Sequence, residues 1–188
     1  VISDMDGTLL DGDGNIPSQL WPLLETMKDR DIAFVPASGR QCTTLSTMFH
    51  SHLQGMPIIA ENGTYVVRDG IDISSSLIDP NLAHEVITGV RQLRDDGHDV
   101  GLVVDTKSMA YLERGDDPFV SHVATYYHSH TVVKDLTEHT DNVIKLSIYD
   151  FDEASDTTHP TMQRIAREHQ VILATPNWVD IMNPGVNK

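Results

Sequence analysis

Two carboxylates near the start of the chain, Asp4 and Asp6, carry the strongest chemical signal in the sequence. They follow a short apolar run, Val1-Ile2, and stand just before Gly7. Because residues i and i+2 of a strand point to the same face, both side chains should converge where the strand ends, which is where open α/β sheets bind ligands. Two like charges this close need compensation, and oxygen ligands of this kind suit Mg²⁺. One carboxylate can then act as a nucleophile while the other handles protons.

The stretch Ser38-Gly39-Arg40 forms a second candidate site. It follows an apolar run at residues 32–37 that predicts a buried strand, and it leads into a predicted helix. A hydroxyl group and free backbone N–H groups at the start of a helix can bind an anion. Serine is also a favoured helix N-cap, so Ser38 alone leaves both interpretations open. The carboxylate pair on the previous strand favours phosphate binding by Ser38 and the Gly39 N–H, whereas Arg40 either orders the loop or contacts substrate.

The elements that would position these residues alternate between strand and helix. Apolar runs predict strands at residues 1–4, 32–37 and 57–60. Helical spacing predicts one helix that ends at about residue 31 and a second that ends at about residue 52. This alternation with short loops is typical of a parallel, doubly wound sheet, and residues 64–74 add a predicted hairpin. The sequence therefore predicts a Rossmann-like α/β core.

After about residue 75 the pattern changes. Predicted strands occur in pairs, with helices predicted at residues 80–96, 118–128 and 153–169. Such a pattern favours an α+β layer, one sheet with its helices on one face. We therefore expect an α/β fold with three parts: a doubly wound core in residues 1–76, an inserted α+β domain in residues 77–178, and a return to the core in residues 179–188.

Composition limits the classes of partner. The chain has 188 residues and a formal net charge of -15, which argues against binding to nucleic acid or to anionic membrane surfaces. An anionic substrate would therefore need local help from a metal ion, a lysine or backbone N–H groups. The single cysteine, Cys42, excludes an internal disulfide framework and fits a reducing, cytoplasmic environment. No apolar stretch approaches the roughly 20 residues of a membrane span.

Five stretches of this chain resemble those of the haloacid dehalogenase-like superfamily, whose phosphatases carry D-x-D-G-T-L/V after the first strand. The resemblance is greatest to the Cof-type branch, which has an α/β (C2-type) cap domain inserted late in the core. The stretches are Asp4-Met5-Asp6-Gly7-Thr8-Leu9, Ala37-Ser38-Gly39-Arg40, Glu61-Asn62-Gly63, Val179-Asp180-Ile181-Met182 and Gly185-Val186-Asn187-Lys188.

The resemblance implies catalytic and metal-binding roles for the first stretch. Asp4 would attack phosphorus and form an aspartyl-phosphate, and it would bind Mg²⁺ through its carboxylate. Asp6 would protonate the leaving alcohol, then activate water, and it would bind the metal ion through its main-chain carbonyl. The Met5 N–H would lie near the phosphate. These roles agree with phosphoryl transfer in general, which depends on positioning and charge neutralisation around an in-line nucleophile.

The resemblance also implies roles for residues later in the chain. Lys188 would be the cation that steadies the nucleophile and the phosphate oxygens, and Ser38 would complete the catalytic set. Asn62 and Asn187 would line the substrate site, although a structural or gating role is favoured at the end of the third strand. The acidic G-D-x-x-N-D-type loop with which the family completes its metal site is not found in these residues. We therefore expect the sequence to be part of a longer polypeptide.

The function expected from these residues is Mg²⁺-dependent hydrolysis of small phosphorylated metabolites, such as sugar phosphates, through an aspartyl-phosphate. Two alternatives remain open. A phosphomutase or other phosphotransferase would use the same intermediate and pass the phosphoryl group to a sugar instead of water. A non-catalytic regulatory protein would bind a phosphorylated ligand without turnover.

Overall fold

The computed structural model describes residues 1–188, which group into two units: residues 1–75 with 187–188, and residues 76–186. The first unit is built on a sheet of five strands in the order β1-β2-β3-β4-β5. Neighbours β1, β2 and β3 run parallel, whereas β4 and β5 form an antiparallel hairpin at the end of the sheet. The predicted parallel α/β sheet is therefore confirmed. The strands are β1 (Ile2–Asp4), β2 (Val35–Ala37), β3 (Pro57–Ala60), β4 (Tyr65–Arg68) and β5 (Ile71–Ser75).

Two helices connect the parallel strands. Helix α1 (Leu20–Lys28) buries Leu20, Leu24 and Met27. Leu23, which belongs to the same predicted apolar pattern, is exposed. Helix α2 (Cys42–Met48) is shorter than expected, because a tight turn at residues 50–52 replaces its predicted last part. That turn is held by the stacking of His52 on Trp21, with ring centroids 5.0 Å apart.

The second unit contains a sheet of six strands in the order β10-β11-β9-β6-β7-β8. All neighbouring strands are antiparallel except β7 and β8. Every residue of the two long central strands, β6 and β9, is buried, so both faces of the sheet are covered there. The strands are β6 (Val100–Thr106), β7 (Ala110–Leu112), β8 (His130–Val132), β9 (Val143–Asp150), β10 (Gln170–Leu173) and β11 (Trp178–Met182).

The sequence predicts that the helices of this unit pack on one face of the sheet, but the structure places them on both faces. Helices α3 (Pro80–Asp95) and α5 (Thr158–Ile165) share a core with Leu146 and Ile148 of β9. Helix α4 (Asp117–Tyr126) instead packs with Tyr149 of the same strand, which points to the opposite face. The face of β9 that includes Tyr149 also carries Lys145 and Ser147, and all three side chains are buried. Because this face is partly polar in sequence, its pattern did not indicate that a helix covers it.

Two boundaries in the second unit differ from the sequence prediction. Helix α5 was expected over residues 153–169 but begins only at Thr158, whose hydroxyl donates to Asp150 Oδ2 at 2.6 Å. Strand β11 was expected to return to the first unit, yet it pairs with β9 and β10. Only residues 187–188 group with the first unit, since Val179 and Ile181 are buried in the core formed by α3 and α5.

None of the helices is both long enough and apolar enough to cross a membrane.

A partly buried ion-pair network in the second unit should contribute measurable stability. Arg91 on α3 donates from Nε to Glu113 at 3.1 Å, forms a second short bond to the same carboxylate, and reaches Asp135 Oδ1 at 2.8 Å. Burial acts to raise the pKa of Glu113, but hydrogen bonds from Arg91 and the Leu136 N–H outweigh it and leave this pKa below its usual value.

We expect Arg91→Met to lower the free energy of unfolding by about 1–2 kcal/mol at neutral pH, because it leaves the Glu113 carboxylate without its charged donor. A depressed pKa stabilises the fold above the unfolded value and loses that contribution as the pH falls. The deficit of the variant should therefore shrink below about pH 4. Urea titrations at neutral and acidic pH measure this deficit. Arg94→Met on the same helix is the control, and an equal loss in that variant would contradict the assignment.

Candidate active site

The two acidic residues of the first motif lie where β1 ends. Asp4 is the last residue of β1 and is in register with Ala37 of β2. The chain then turns sharply, with the Leu10 N–H donating to the Met5 carbonyl at 2.9 Å, and Met5 itself is fully buried. Gly7 takes a φ of +74°, a left-handed conformation that glycine adopts without steric cost. Asp6 therefore lies in this turn and leaves its carboxylate more exposed than that of Asp4.

Lys188 lies beside Asp4. Its Nζ donates to Asp4 Oδ1 at 2.7 Å, and the two side chains are 40% and 38% exposed. An ammonium group at this distance offsets the charge of the carboxylate and orients one of its oxygens. The bond from Lys188 involves only Oδ1 of the two carboxylate oxygens.

Arg40 lies on Asp6. Its Nη2 donates to Asp6 Oδ1 at 2.6 Å and its Nε to Oδ2 at 3.3 Å, a two-point contact in which both carboxylate oxygens accept. The guanidinium is largely buried, whereas the Asp6 side chain is 57% exposed. From the sequence, Arg40 was expected either to order the loop or to contact substrate. Its pairing with Asp6 was not predicted. The available signal was that the two residues follow neighbouring strands, although strand adjacency does not reveal which side chains meet.

Ser38 begins the loop after β2 and is buried. Its N–H donates to the Ile59 carbonyl at 3.0 Å, and its Oγ accepts from the Arg40 N–H at 3.2 Å. The helix that follows begins only at Cys42, with Gln41 in the N-cap position, so Ser38 is not a helix cap. The helix therefore begins later than the sequence predicts, and the anion site predicted at Ser38 and Gly39 stays a prediction, now for the loop before the helix.

Asn62 and Asn187 also belong to the first unit. The Asn62 N–H donates to the Ser38 carbonyl at 3.0 Å, and its side chain lies against Gly39. The backbone of Asn187 packs against Gly63. All nine residues that the sequence singled out therefore belong to one unit. Four of them form two charge pairs, Asp4–Lys188 and Asp6–Arg40, and the second pair includes a residue of the polar loop 38–40.

Tyr65, the first residue of β4, is hydrogen-bonded to a carboxylate of the neighbouring strand β5. Its hydroxyl donates to Asp72 Oδ1 at 2.6 Å. Burial, reinforced by this hydrogen bond and by the charge of Asp72, raises the pKa of Tyr65 well above its usual value. The phenol therefore stays a neutral donor near pH 7.

The oxygen donors at the end of β1 suit a magnesium ion, although they supply only part of its coordination. Mg²⁺ is typically held by one or two carboxylates, with water and substrate phosphate completing six ligands. Asp4 offers a carboxylate oxygen beside the one that Lys188 contacts, and Asp6 offers a main-chain carbonyl. The chain contains no group of three or more acidic, histidine or cysteine side chains placed to hold a metal ion. The donor set thus fits the ion by chemistry, with few protein ligands.

Comparisons with known proteins show what the chain is similar to. The profile of a family described as haloacid dehalogenase-like hydrolase matches residues 1–188. The 5-amino-6-(5-phospho-D-ribitylamino)uracil phosphatase YbjI of Escherichia coli (strain K12) is 27% identical over 188 residues, which is 98% of this chain and 68% of that protein.

Solved structures share the fold. A haloacid dehalogenase-like hydrolase from Bacteroides thetaiotaomicron superposes with a TM-score of 0.83 at 19% identity, over 98% of this chain and 71% of that one. The subclass IIB sugar phosphatase BT4131 of the same superfamily gives 0.74 at 18% identity, over 99% and 70%. At these identities the likeness establishes the fold alone. The family model, which matches every residue of the chain, confirms the expected family: the chain belongs to the haloacid dehalogenase-like hydrolases.

Proposed function

We propose that this protein is a Mg²⁺-dependent phosphatase that hydrolyses small phosphorylated metabolites, sugar phosphates or similar compounds, through an aspartyl-phosphate. The observation that carries the proposal is the placement of Asp4 at the end of β1, with Lys188 Nζ 2.7 Å from one carboxylate oxygen. A carboxylate held in this way is oriented for attack on an electrophile. The names of YbjI and BT4131, both phosphatases, support the substrate class.

In the first step, Asp4 attacks phosphorus in line with the leaving group. A bond forms between a carboxylate oxygen and phosphorus, the bond from phosphorus to the ester oxygen breaks, and Asp6 gives its proton to that oxygen. The products are an aspartyl-phosphate and a free alcohol. For this step Asp6 must carry a proton, so its two-point contact with Arg40 has to loosen when substrate binds.

In the second step, water attacks the aspartyl-phosphate. Asp6 takes a proton from that water, inorganic phosphate leaves, and the Asp4 carboxylate is restored with Asp6 protonated for the next cycle. Lys188 would stabilise negative charge on the phosphoryl oxygens in both steps, since it already contacts the nucleophile.

The phosphoryl group would bind between the turn after β1 and the loop after β2. Ser38, Arg40 and the N–H groups of Met5 and Gly39 are the donors that we assign to its oxygens. Asn187 lies at the edge of this set. These donors and Lys188 supply the local positive charge that an anionic substrate needs on a chain with a net charge of -15.

Magnesium would be held by the Asp4 carboxylate and the Asp6 main-chain carbonyl. When bound, the ion neutralises charge on the transferring phosphoryl group. We further propose a cytoplasmic location, which the single cysteine favours.

Removal of divalent cations should abolish turnover. We expect chelation with EDTA to reduce hydrolysis by at least about 100-fold, because a metal ion supplies several kcal/mol of charge stabilisation in such reactions. Added Mg²⁺ should restore the rate. The measurement is release of inorganic phosphate from a sugar phosphate, before and after dialysis against chelator. Unchanged turnover in the chelated protein would contradict the metal requirement.

The function itself is tested by incubating the intact protein with an aryl phosphate and a panel of sugar phosphates in Mg²⁺. Release of inorganic phosphate supports the proposal. Transfer of the phosphoryl group to an added acceptor sugar, without release of inorganic phosphate, would instead identify a phosphotransferase. Binding of a phosphate ester without any turnover would identify a regulatory binding protein. Each of these last two results contradicts the phosphatase assignment.

A further inference from the structure

The turn between β3 and β4, Glu61-Asn62-Gly63, has an unusual backbone. Its three residues take φ values of +51°, +56° and +96°, so all lie in the left-handed region. Two of them carry side chains, for which this conformation is unfavourable and persists only where the surroundings impose it. Such a run of left-handed residues is typical of a segment whose shape serves a function.

One side of this turn holds the loop Ser38–Arg40. The Glu61 N–H donates to the Arg40 carbonyl at 3.1 Å, and the Asn62 N–H donates to the Ser38 carbonyl at 3.0 Å. Between these two bonds, the Asn62 side chain covers Gly39. A Cβ placed on Gly39 would lie 2.7 Å from Asn62 Oδ1, so the two segments are in close contact.

The other side of the turn holds the segment that carries Lys188. A Cβ on Gly63 would overlap the carbonyl oxygen of Asn187, so only glycine allows this approach. Lys188 follows directly and reaches Asp4 at 2.7 Å. The same three-residue turn therefore contacts the proposed phosphate loop and the backbone next to the proposed catalytic lysine.

We propose that the turn Glu61–Gly63 is the positioning element of the active site, which sets the Ser38–Arg40 loop and Lys188 in place relative to Asp4 and Asp6. This inference rests on the proposed function for its catalytic consequence. It makes Asn62 a positioning residue, one that acts through Gly39, and this gives a specific form to the structural or gating role that the sequence favoured.

The first test compares Asn62→Gly with Asp31→Gly. Both native residues are left-handed, with φ values of +56° and +55°, so glycine relieves the backbone equally, but Asp31 is exposed at the end of α1. In Asn62→Gly, the amide hydrogens of Gly39 and Arg40 should exchange with solvent about tenfold faster than in the parent protein. With an aryl phosphate, kcat should fall about 10- to 100-fold with a smaller change in KM, because a misplaced loop stabilises the transition state poorly. The unfolding midpoint should stay within about 2 °C.

The second test compares Gly63→Ala with Gly70→Ala. Both glycines are left-handed, with φ values of +96° and +75°, but a Cβ on Gly70 meets nothing within 4 Å. Only Gly63→Ala should displace Asn187, and we expect it to lower kcat about 100-fold while Gly70→Ala stays near the parent rate.

Equal exchange rates and equal kcat in Asn62→Gly and Asp31→Gly would overturn the proposal. Hydrogen exchange separates this outcome from failure of the proposed function. If the parent hydrolyses no phosphate ester, faster exchange at Gly39 and Arg40 in Asn62→Gly alone still supports the positioning role, and unchanged exchange refutes it.

Discussion

Asp4→Asn is expected to lower phosphatase turnover by at least about 10⁴-fold, because an amide of the same shape cannot attack phosphorus or form the acyl phosphate. Steady-state release of inorganic phosphate from a sugar phosphate measures the loss. The variant should remain folded, since the pair that it breaks with Lys188 is about 40% exposed and such pairs contribute less than about 1 kcal/mol.

The matched control for this substitution is Asp29→Asn. Asp29 follows α1, is exposed and makes no ion pair, so the same change of charge should leave turnover within about twofold of the parent. A loss of less than tenfold in Asp4→Asn, with Asp29→Asn unchanged, would exclude Asp4 as the nucleophile.

Asp6→Asn is expected to lower kcat by about 10²- to 10⁴-fold, the usual contribution of a general acid or base. The size of the loss should depend on the leaving group. An aryl oxide leaves readily without a proton, so formation of the phosphoenzyme from an aryl phosphate should suffer less than formation from a sugar phosphate. Single-turnover release of the alcohol from both substrates measures this difference.

Asp13→Asn provides the control for Asp6, because Asp13 lies exposed in the following loop and only its N–H is hydrogen-bonded, to Asp11 Oδ1 at 3.0 Å. It should behave like the parent with both substrates. Equal losses for aryl and sugar phosphates in Asp6→Asn would contradict proton transfer to the leaving group. That result would mean that Asp6 acts mainly through its charge, for instance by holding Arg40.

The fold of the first unit could be predicted because its signals are local. Short apolar runs at β1, β2 and β3 alternate with helices, and that order alone favours a parallel sheet. The sheet that β11 joins could not be predicted in the same way. Its residues suit a buried strand in either sheet, and the choice depends on pairing with β9, which is distant in sequence. Likewise, the ends of α2 and α5 depend on tertiary contacts such as Trp21 with His52.

The candidate site shows the same difference between local signals, which the sequence reveals, and long-range contacts, which it does not. Asp4 and Asp6 were found because two carboxylates at period two, followed by glycine, form a specific local pattern. Their partners lie 184 and 34 residues away, at Lys188 and Arg40. Lys188 was reached through family resemblance, whereas the contact of Arg40 with Asp6 depends on side-chain conformations that spacing does not encode. The catalytic roles of these residues remain predictions.

The central claim, that Asp4 carries the phosphoryl group, is tested most directly by trapping the phosphoenzyme. The protein is mixed with a phosphate ester labelled on phosphorus, quenched in acid within one turnover, and digested. The account predicts label on the peptide that contains Asp4, removed by hydroxylamine as an acyl phosphate is, and absent from Asp4→Asn. Label on another residue, or rapid hydrolysis without label on any peptide, would contradict it.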